Sequence, residues 1–409
     1  MNLSPFRFSL CWLLLISAWT CDAQLNPSSW RVVSFTSENT STGEQARHAI
    51  DGNPETQWHT QWHDPRKSPA APAPHALTID LRRSQTVNAL RYRGRAHGEG
   101  GLPADSLVEL SADGTFWRTV YDGPMTFRSP FSPHAVIPIQ PPVKARFLRF
   151  TVRTVRETAR ATEPGLVVSE LEVATPEHPL IPTTLIPVPQ SREWAYGGYH
   201  WRTRHEAILA LTRERRPQLV FLGDSITHQW GGPPQDVTPR PGEAVWNAFY
   251  APRNALDLGY GWDRIENMIW RVQHGELDHT DARLVVVLAG TNNLEVNTPE
   301  EIAAGVDGLC REIHRRKPAS QILLLGLFPR GNEVRDAALQ ETNRRLQSLA
   351  RRRHLRFLDI GDVFLEADRK LTRAIMPDLL HLSSEGYRRW AQAIETEVAR
   401  ALKEPSSPR

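Results

Sequence analysis

Between residues 174 and 190 the chain reads "ATPEHPLIPTTLIPVPQ", and the hydrophobic patterning on its two sides follows different periods. Before it lie short alternating runs, "ALTIDL", "NALRYRG", "SLVELSADG", "FWRTVYDG", "ARFLRFTV" and "SELEV", separated by Gly, Pro, Asp and Ser. That spacing predicts an antiparallel β-sandwich over 24–174. After it, apolar runs at 218–222, 284–288, 321–327 and 356–360 are separated by helical stretches, which predicts a parallel sheet covered on both faces over 191–402. The prolines between make 175–190 a stiff extended linker. Two domains also suit 409 residues, more than one core usually supports.

Charge narrows the partners. Lys and Arg number 49 against 46 Asp and Glu, and the arginines are scattered among acids. No basic block of the kind that binds nucleic acid stands out, and runs such as "RRR" at 351–353 read as solvated helix faces. At the N-terminus, Arg7 precedes the apolar run "FSLCWLLLISAW", and "CDA" ends at Ala23, so 1–23 reads as an export signal. The run is shorter than the roughly 20 apolar residues of a membrane span, so no stable membrane insertion is expected. A lipidated Cys21 ranks second, because Trp19 and Thr20 precede it. Cleavage after Ala23 would leave Cys310 as a single buried thiol with no disulfide partner, which suits a bacterial periplasm or exterior.

Three pieces of the second domain carry chemistry. "LVFLGDSITHQW" runs as a buried strand into Ser225; "RLVVVLAG" ends in "GTNN", with Asn292; and "PDLLHLSSEGY" holds Asp378 three residues before His381. In open α/β sheets reactive groups gather at the carboxyl ends of strands. A serine hydroxyl attacks an ester only when a base takes its proton and a third group orients that base. His381 and Asp378 supply those functions, and the Ser225 N–H, the Asn292 amide and an N–H from "LGYGWD" at 258–263 supply donors for an oxyanion. Taken singly, each piece also reads as a turn, a cap or a surface pair. In "NTPEE", Thr298 is the expected N-cap of a helix, Pro299 its first residue and Glu301 the reciprocal acid.

The stretches "FLGDSITHQW", "NALDLGYGWDRIENMIWRVQHGEL", "VVVLAGTNN", "ILLLGLFPRG" and "LLHLSSEGY" together resemble the SGNH (GDSL-type) hydrolases, in the branch of the platelet-activating factor acetylhydrolase catalytic subunits. The resemblance implies an α/β/α flavodoxin-like fold and metal-independent ester hydrolysis through an acyl-enzyme. It makes Ser225 the nucleophile, Asp378 and His381 its acid and base partners, and Ser225, Trp262 and Asn292 the oxyanion donors. Trp262 stands where the family usually has glycine, and a backbone N–H survives that exchange. Ile226 and Leu380 match positions that crowd the acyl group, and the Trp262 indole adds bulk beside the acyl site, which together favour acetyl over fatty chains; packing beneath the loops is the other reading of Ile226 and Leu380.

In the first domain, "HAIDGNPETQWHTQW" at 48–62, with "SADGTFW", "ARFLRFTV" and "SELEV", resembles discoidin-type, galactose-binding-like jelly-roll domains. The resemblance implies a structural calcium held by the Asp51 and Glu170 carboxylates, the Thr56 hydroxyl and carbonyls of His48, Asn53 and Ser169, oxygen ligands that suit this hard cation. It also aligns His59, Trp62 and Arg95 with sugar contacts, although Trp58 and Trp62 equally read as core. The long loop "HDPRKSPAAPAPH" at 63–75 adds recognition surface. Together these features predict an exported serine esterase removing acetyl groups from carbohydrate, with the sandwich holding it near glycans. A short-chain lipid or phospholipid acetylhydrolase is the first rival, and a non-catalytic glycan-binding protein with a vestigial hydrolase domain the second.

Overall fold

The computed structural model describes residues 25, 27–62, 70–95, 100–129, 132–156, 165–190, 199–331 and 333–403. The expected export signal at 1–23, most of the loop 63–75 and nearly all of the tail 403–409 lie outside the described residues.

The first domain comprises β1 (Arg31–Phe35), β2 (Trp58–His59), β3 (His75–Arg93), β4 (Pro103–Ser111), β5 (Arg118–Pro124), β6 (His134–Val155), β7 (Val167–Val168) and β8 (Glu170–Ala174). "ALTIDL" and "NALRYRG", read separately in the sequence, are two halves of the single strand β3. Its register against β6 breaks between Asp80 and Gln85, where Arg82 takes a φ of 68°. A bulge of this kind re-aims a strand without ending it. The two halves therefore keep different company: 75–80 lies between β1 and the second half of β6, whereas 89–93 lies between β8 and the first half of β6. Trp58, Leu77, Ile79, Leu90, Leu148 and Phe150 fill the core.

The second domain comprises β9 (Leu219–Gly223), β10 (Ala255–Gly259), β11 (Leu284–Leu288), β12 (Gln321–Leu325) and β13 (Leu355–Leu358), with α1 (Trp201–Arg215), α2 (Ser225–His228), α3 (Glu243–Phe249), α4 (Ile265–Gln273), α5 (Pro299–Arg316), α6 (Glu333–Gln347) and α7 (Ser384–Lys403). All five strands run parallel in the order β10-β9-β11-β12-β13. This is the doubly wound order in which chain direction reverses between the first and third strands, opening a crevice at their carboxyl ends. Strand β10 went unread in the sequence as a strand of its own, since "ALDLG" is short and holds Asp257 at its centre. Thr298, Pro299 and Glu301 form the expected capping box of α5, and Cys310 is buried on that helix, its thiol pushed up to about 12 by burial.

The proline-rich segment is more than a spacer. Thr183–Leu185 forms a 3-10 turn, and Thr183, Thr184, Val188 and Gln190 are buried. From the sandwich, Arg91 Nη1 donates to Ile181 O at 2.7 Å. From the α/β domain, Asn297 Nδ2 donates to Thr183 Oγ1 at 2.9 Å and Asn267 Nδ2 to Val188 O at 3.0 Å, while Thr184 Oγ1 donates to Glu301 O at 2.7 Å. Proline removes backbone donors, so most of these contacts fall on carbonyls and the two threonine hydroxyls, with Val188 N–H donating to Glu266 O at 3.3 Å.

Arg91 is itself fixed by a buried bidentate pair with Glu172, its partner in register on β8, at 2.6 and 2.7 Å. Removing one member of such a pair strands the other charge. Glu172→Ala should lower stability by about 3–5 kcal/mol in a denaturant titration, and replacing Arg91 and Glu172 together with apolar residues should recover part of that loss. A single variant as stable as the parent would contradict this account.

Candidate active site

The strand register brings the reactive loops to one level. Gly223 ends β9 opposite Gly259 of β10 and Leu288 of β11, so Ser225, Trp262 and Asn292 begin from adjacent, flush strand ends. This close stacking requires glycine at 259: a Cβ there would lie 2.1 Å from His228 N in α2. Asp224 caps α2, its Oδ1 accepting from Ile226 N at 2.9 Å, and thereby fixes the turn that carries Ser225.

Ser225 Oγ donates to His381 Nε2 at 2.9 Å, and His381 Nδ1 donates to Asp378 Oδ2 at 2.7 Å. The partners define the tautomer, with the proton on Nδ1 and the lone pair on Nε2. Asp378 also accepts the backbone N–H of Leu380 at 3.0 Å and of His381 at 2.7 Å through Oδ1. Burial works against the Asp378 charge, but these bonds and the imidazole outweigh it and hold the carboxyl below its usual range. The bend that aims both N–H groups at one oxygen passes through Leu379, at a φ of 62°. Leu379 in turn lies against Gly331 of "FPRG", where a Cβ would come within 2.5 Å of Cδ1. That block, silent in a reading of the residues alone, seats the turn bearing Asp378 and His381.

A buried charge network supports the neighbouring loop. Arg271 on α4 donates to Asp263 Oδ2 at 2.7 Å, to Leu258 O at 3.3 Å and to Gly223 O at 3.4 Å, and also pairs with Glu276. Burial disfavours its charge, yet the Glu276 and Asp263 carboxylates more than offset this and raise its pKa. Trp201 Nε1 fixes the other Asp263 oxygen at 2.7 Å, and Tyr199 OH donates to Gly261 O at 2.8 Å. Trp262 is therefore held at a φ of 67°, a left-handed conformation that costs a non-glycine residue about 1–2 kcal/mol. Its indole is 44% exposed. Asn292 Nδ2 donates to Asp263 O at 2.9 Å, which joins the amide to the Trp262 loop. Its neighbour Asn293 is buried and takes a scaffolding part, accepting from Ile265 N at 3.0 Å. The structure keeps the expected Asn292 in the half-exposed position and buries Asn293.

Other expected contacts are redistributed. Ile226 is sealed into the core, with Tyr387 OH donating to its carbonyl at 2.6 Å, so it cannot line an open acyl pocket; Leu380 is half-buried and Trp262 is accessible. In the sandwich, Trp58 is core and Trp62 half-buried. His59, in β2, is also interior, because it pairs with Val167 of β7 and its ring abuts Gly165, which removes it from the expected sugar contacts. Arg95 donates to Gln57 Oε1 at 3.2 Å.

Around Glu170 the oxygen groups do converge. Thr56 Oγ1 donates to Asp51 Oδ2 at 2.8 Å and to Asn53 O at 2.9 Å, and Ser169 Oγ donates to the carbonyls of Pro54 and Thr56, each at 3.1 Å. Both Glu170 carboxylate oxygens are buried with no hydrogen-bond partner among the described residues. Burial, with the adjacent Asp51 and Glu172 charges, pushes this carboxyl up to about 9. Two crowded carboxylates ringed by carbonyls and a hydroxyl fit a hard divalent cation. No group of three His, Cys, Asp or Glu side chains gathers among the described residues.

Asp224 is the site residue that sequence reasoning passed over. Burial pushes its carboxyl up to about 6, against the Ile226 N–H and the electrostatic pull of His381 and Arg330, and Oδ2 has no partner among the described residues. A folded-state pKa above the ordinary 3.8 favours the protonated form, so this group's stabilisation is complete below about pH 4 and is lost as pH rises through about 6. Asp224→Asn keeps the Oδ1 cap. In denaturant titrations it should match the parent near pH 4 and exceed it near pH 8; a gain at neither pH would refute the assignment.

Residues 221–389 match the GDSL-like lipase/acylhydrolase family and residues 33–164 match the F5/8 type C domain. The platelet-activating factor acetylhydrolase IB subunit alpha1 of Bos taurus is 32% identical over 216 residues, covering 50% of this chain and 85% of that relative. Subunit alpha2 of Rattus norvegicus is 29% identical over 220 residues, covering 53% and 91%. Among solved structures, the family 32 CBM from C. perfringens NanJ in complex with galactose is 22% identical with a TM-score of 0.30, covering 37% of this chain and 96% of that one. The chain belongs to the GDSL-like lipase/acylhydrolase family and is a carboxylic ester hydrolase carrying an N-terminal F5/8 type C domain.

Proposed function

We propose that this protein removes acetyl and other short acyl groups from carbohydrate, through a covalent acyl-enzyme formed on Ser225. The observation that carries the reading is the continuous relay from Ser225 Oγ through His381 to Asp378. His381 Nε2 takes the hydroxyl proton as Oγ attacks the ester carbonyl, and Asp378 stabilises the imidazolium that results. The tetrahedral oxyanion is met by the Ser225 and Trp262 N–H groups and the Asn292 amide. Collapse breaks the ester C–O bond and the departing sugar oxygen takes the proton from His381 to leave as a hydroxyl; water then repeats the sequence and releases acetate. Leu380 and the Trp262 indole limit the acyl chain.

The carbohydrate assignment draws on the F5/8 type C domain, which would hold the enzyme near glycans. Residues 1–23 would direct export to the periplasm or exterior. Acetyl phospholipid is the second reading, favoured by relatives whose names specify platelet-activating factor. Asp51, Thr56 and Glu170, with the carbonyls of His48, Asn53 and Ser169, would hold calcium as a structural ion that takes no part in the reaction.

Acetate release from acetylated oligosaccharides and from an acetyl phospholipid separates the two substrates; faster turnover of the phospholipid would overturn the carbohydrate assignment. On a nitrophenyl acetate ester, Ser225→Ala and His381→Ala should each cost at least about a thousandfold in kcat, and Asn292→Ala about a hundredfold, near 3 kcal/mol. Rates near the parent in either of the first two would remove the mechanism. Calcium should raise the Tm of the full chain and Glu170→Ala should abolish that rise; a Tm indifferent to calcium and chelator would remove the ion.

A further inference from the structure

A cleft of about 550 Å³ lies where the sandwich, the proline-rich segment and α1 meet. That is within the size range of small-ligand sites and far more than an ion needs. One wall is a hydrogen-bonded chain from the sandwich: Arg95 Nε donates to Gln57 Oε1 at 3.2 Å, Gln57 Nε2 donates to Glu44, and Arg95 and Glu44 form an ion pair at 3.9 Å. Facing it are Pro189, Gln190 and the exposed Arg202 at the start of α1. Glu55 lines the cleft as well, and its carboxylate accepts from Trp270 of the α/β domain at 3.2 Å. Two guanidiniums and two carboxylates balance one another, so the lining offers paired donors and acceptors with no net charge.

Gln190 supplies an independent sign of a ligand. It is 2% exposed, and its Nε2 is committed to Gly261 O and Asp263 Oδ1, each at 3.3 Å. The amide oxygen is thereby turned the other way, buried and without a partner among the described residues. A buried acceptor of this kind is costly until a donor reaches it. A carbohydrate hydroxyl is both donor and acceptor, and a neutral saccharide presents many of them.

We infer that this cleft is a saccharide subsite built jointly by the two domains, taking a neutral oligosaccharide whose hydroxyls donate to Gln190 Oε1 and accept from Arg202 and Arg95. Gln190 also holds the carbonyl of Gly261, next to Trp262, so a chain bound here lies behind the loop beside Ser225. The inference rests on the carbohydrate reading above and deepens it. The full-length Ser225→Ala protein, kept in calcium, is titrated calorimetrically with neutral galacto-, xylo- and cello-tetrasaccharides and with an acidic tetragalacturonate. At least one neutral tetrasaccharide should bind, and adding Arg202→Ala should weaken it at least about tenfold. In the active chain, Arg202→Ala should leave nitrophenyl acetate turnover within about twofold. No neutral binding, tighter binding of the galacturonate, or binding indifferent to Arg202→Ala would each overturn the subsite. A parent chain inactive on every acetyl ester would instead overturn the esterase reading, which these titrations do not measure.

Discussion

The guanidinium of Arg271 is the group on which the second domain is arranged. It is fully buried, and its donors reach the carbonyls that close β9 and β10, the carboxylate of Asp263 and that of Glu276. Tyr260 lies over its face at 3.8 Å, and His205 donates to Glu276 at 2.9 Å. Burying so many polar groups is costly unless each is matched, and here they are matched to one another. The consequence is geometric. With Asp263 fixed from two sides, the Trp262 peptide between it and Gly261 has little freedom to turn, and a loop at the switch point of the sheet becomes rigid enough to hold a strained φ.

The same loop is where the two domains communicate. Gln190, the last described residue of the proline-rich segment before α1 begins its approach, binds both Gly261 and Asp263. The other end of that segment is held by Arg91, whose charge is matched by Glu172 within the sandwich. A path of direct bonds therefore runs from β3 through 181–190 to the residues flanking Trp262. The prolines stiffen it, and the buried threonines and carbonyls anchor it. Composition announced the stiffness; it held no hint of the anchorage, because a Thr hydroxyl in a loop is polar whether or not a partner waits across an interface.

Trp262 joins two requirements that usually belong to different residues. A positive φ there favours glycine, as does room for an acyl group, yet tryptophan meets the backbone requirement at a cost that the surrounding network sustains. The residue remains 44% exposed rather than packed away, so the strained turn carries a partly accessible aromatic side chain. Ile226, expected to crowd the acyl group with it, instead serves the core through Tyr387.

The amino-acid sequence alone determined the two periodicities, and with them a sandwich followed by a doubly wound sheet. It also determined the short-range devices: the capping box at Thr298, and the Asp378 to His381 spacing that lets a carboxylate reach an imaginable imidazole partner within one turn. These follow from chain geometry over a few residues, which is why they can be read linearly. The tertiary structure decided what depends on burial and on strands meeting in register. It sank His59 and exposed Trp262, left Asp224 and Glu170 with unmatched oxygens, and turned a linker into an anchored strap. A charge or amide carries the same letter in water and in a core, and its energy differs by several kcal/mol between them, so only the folded environment assigns its part.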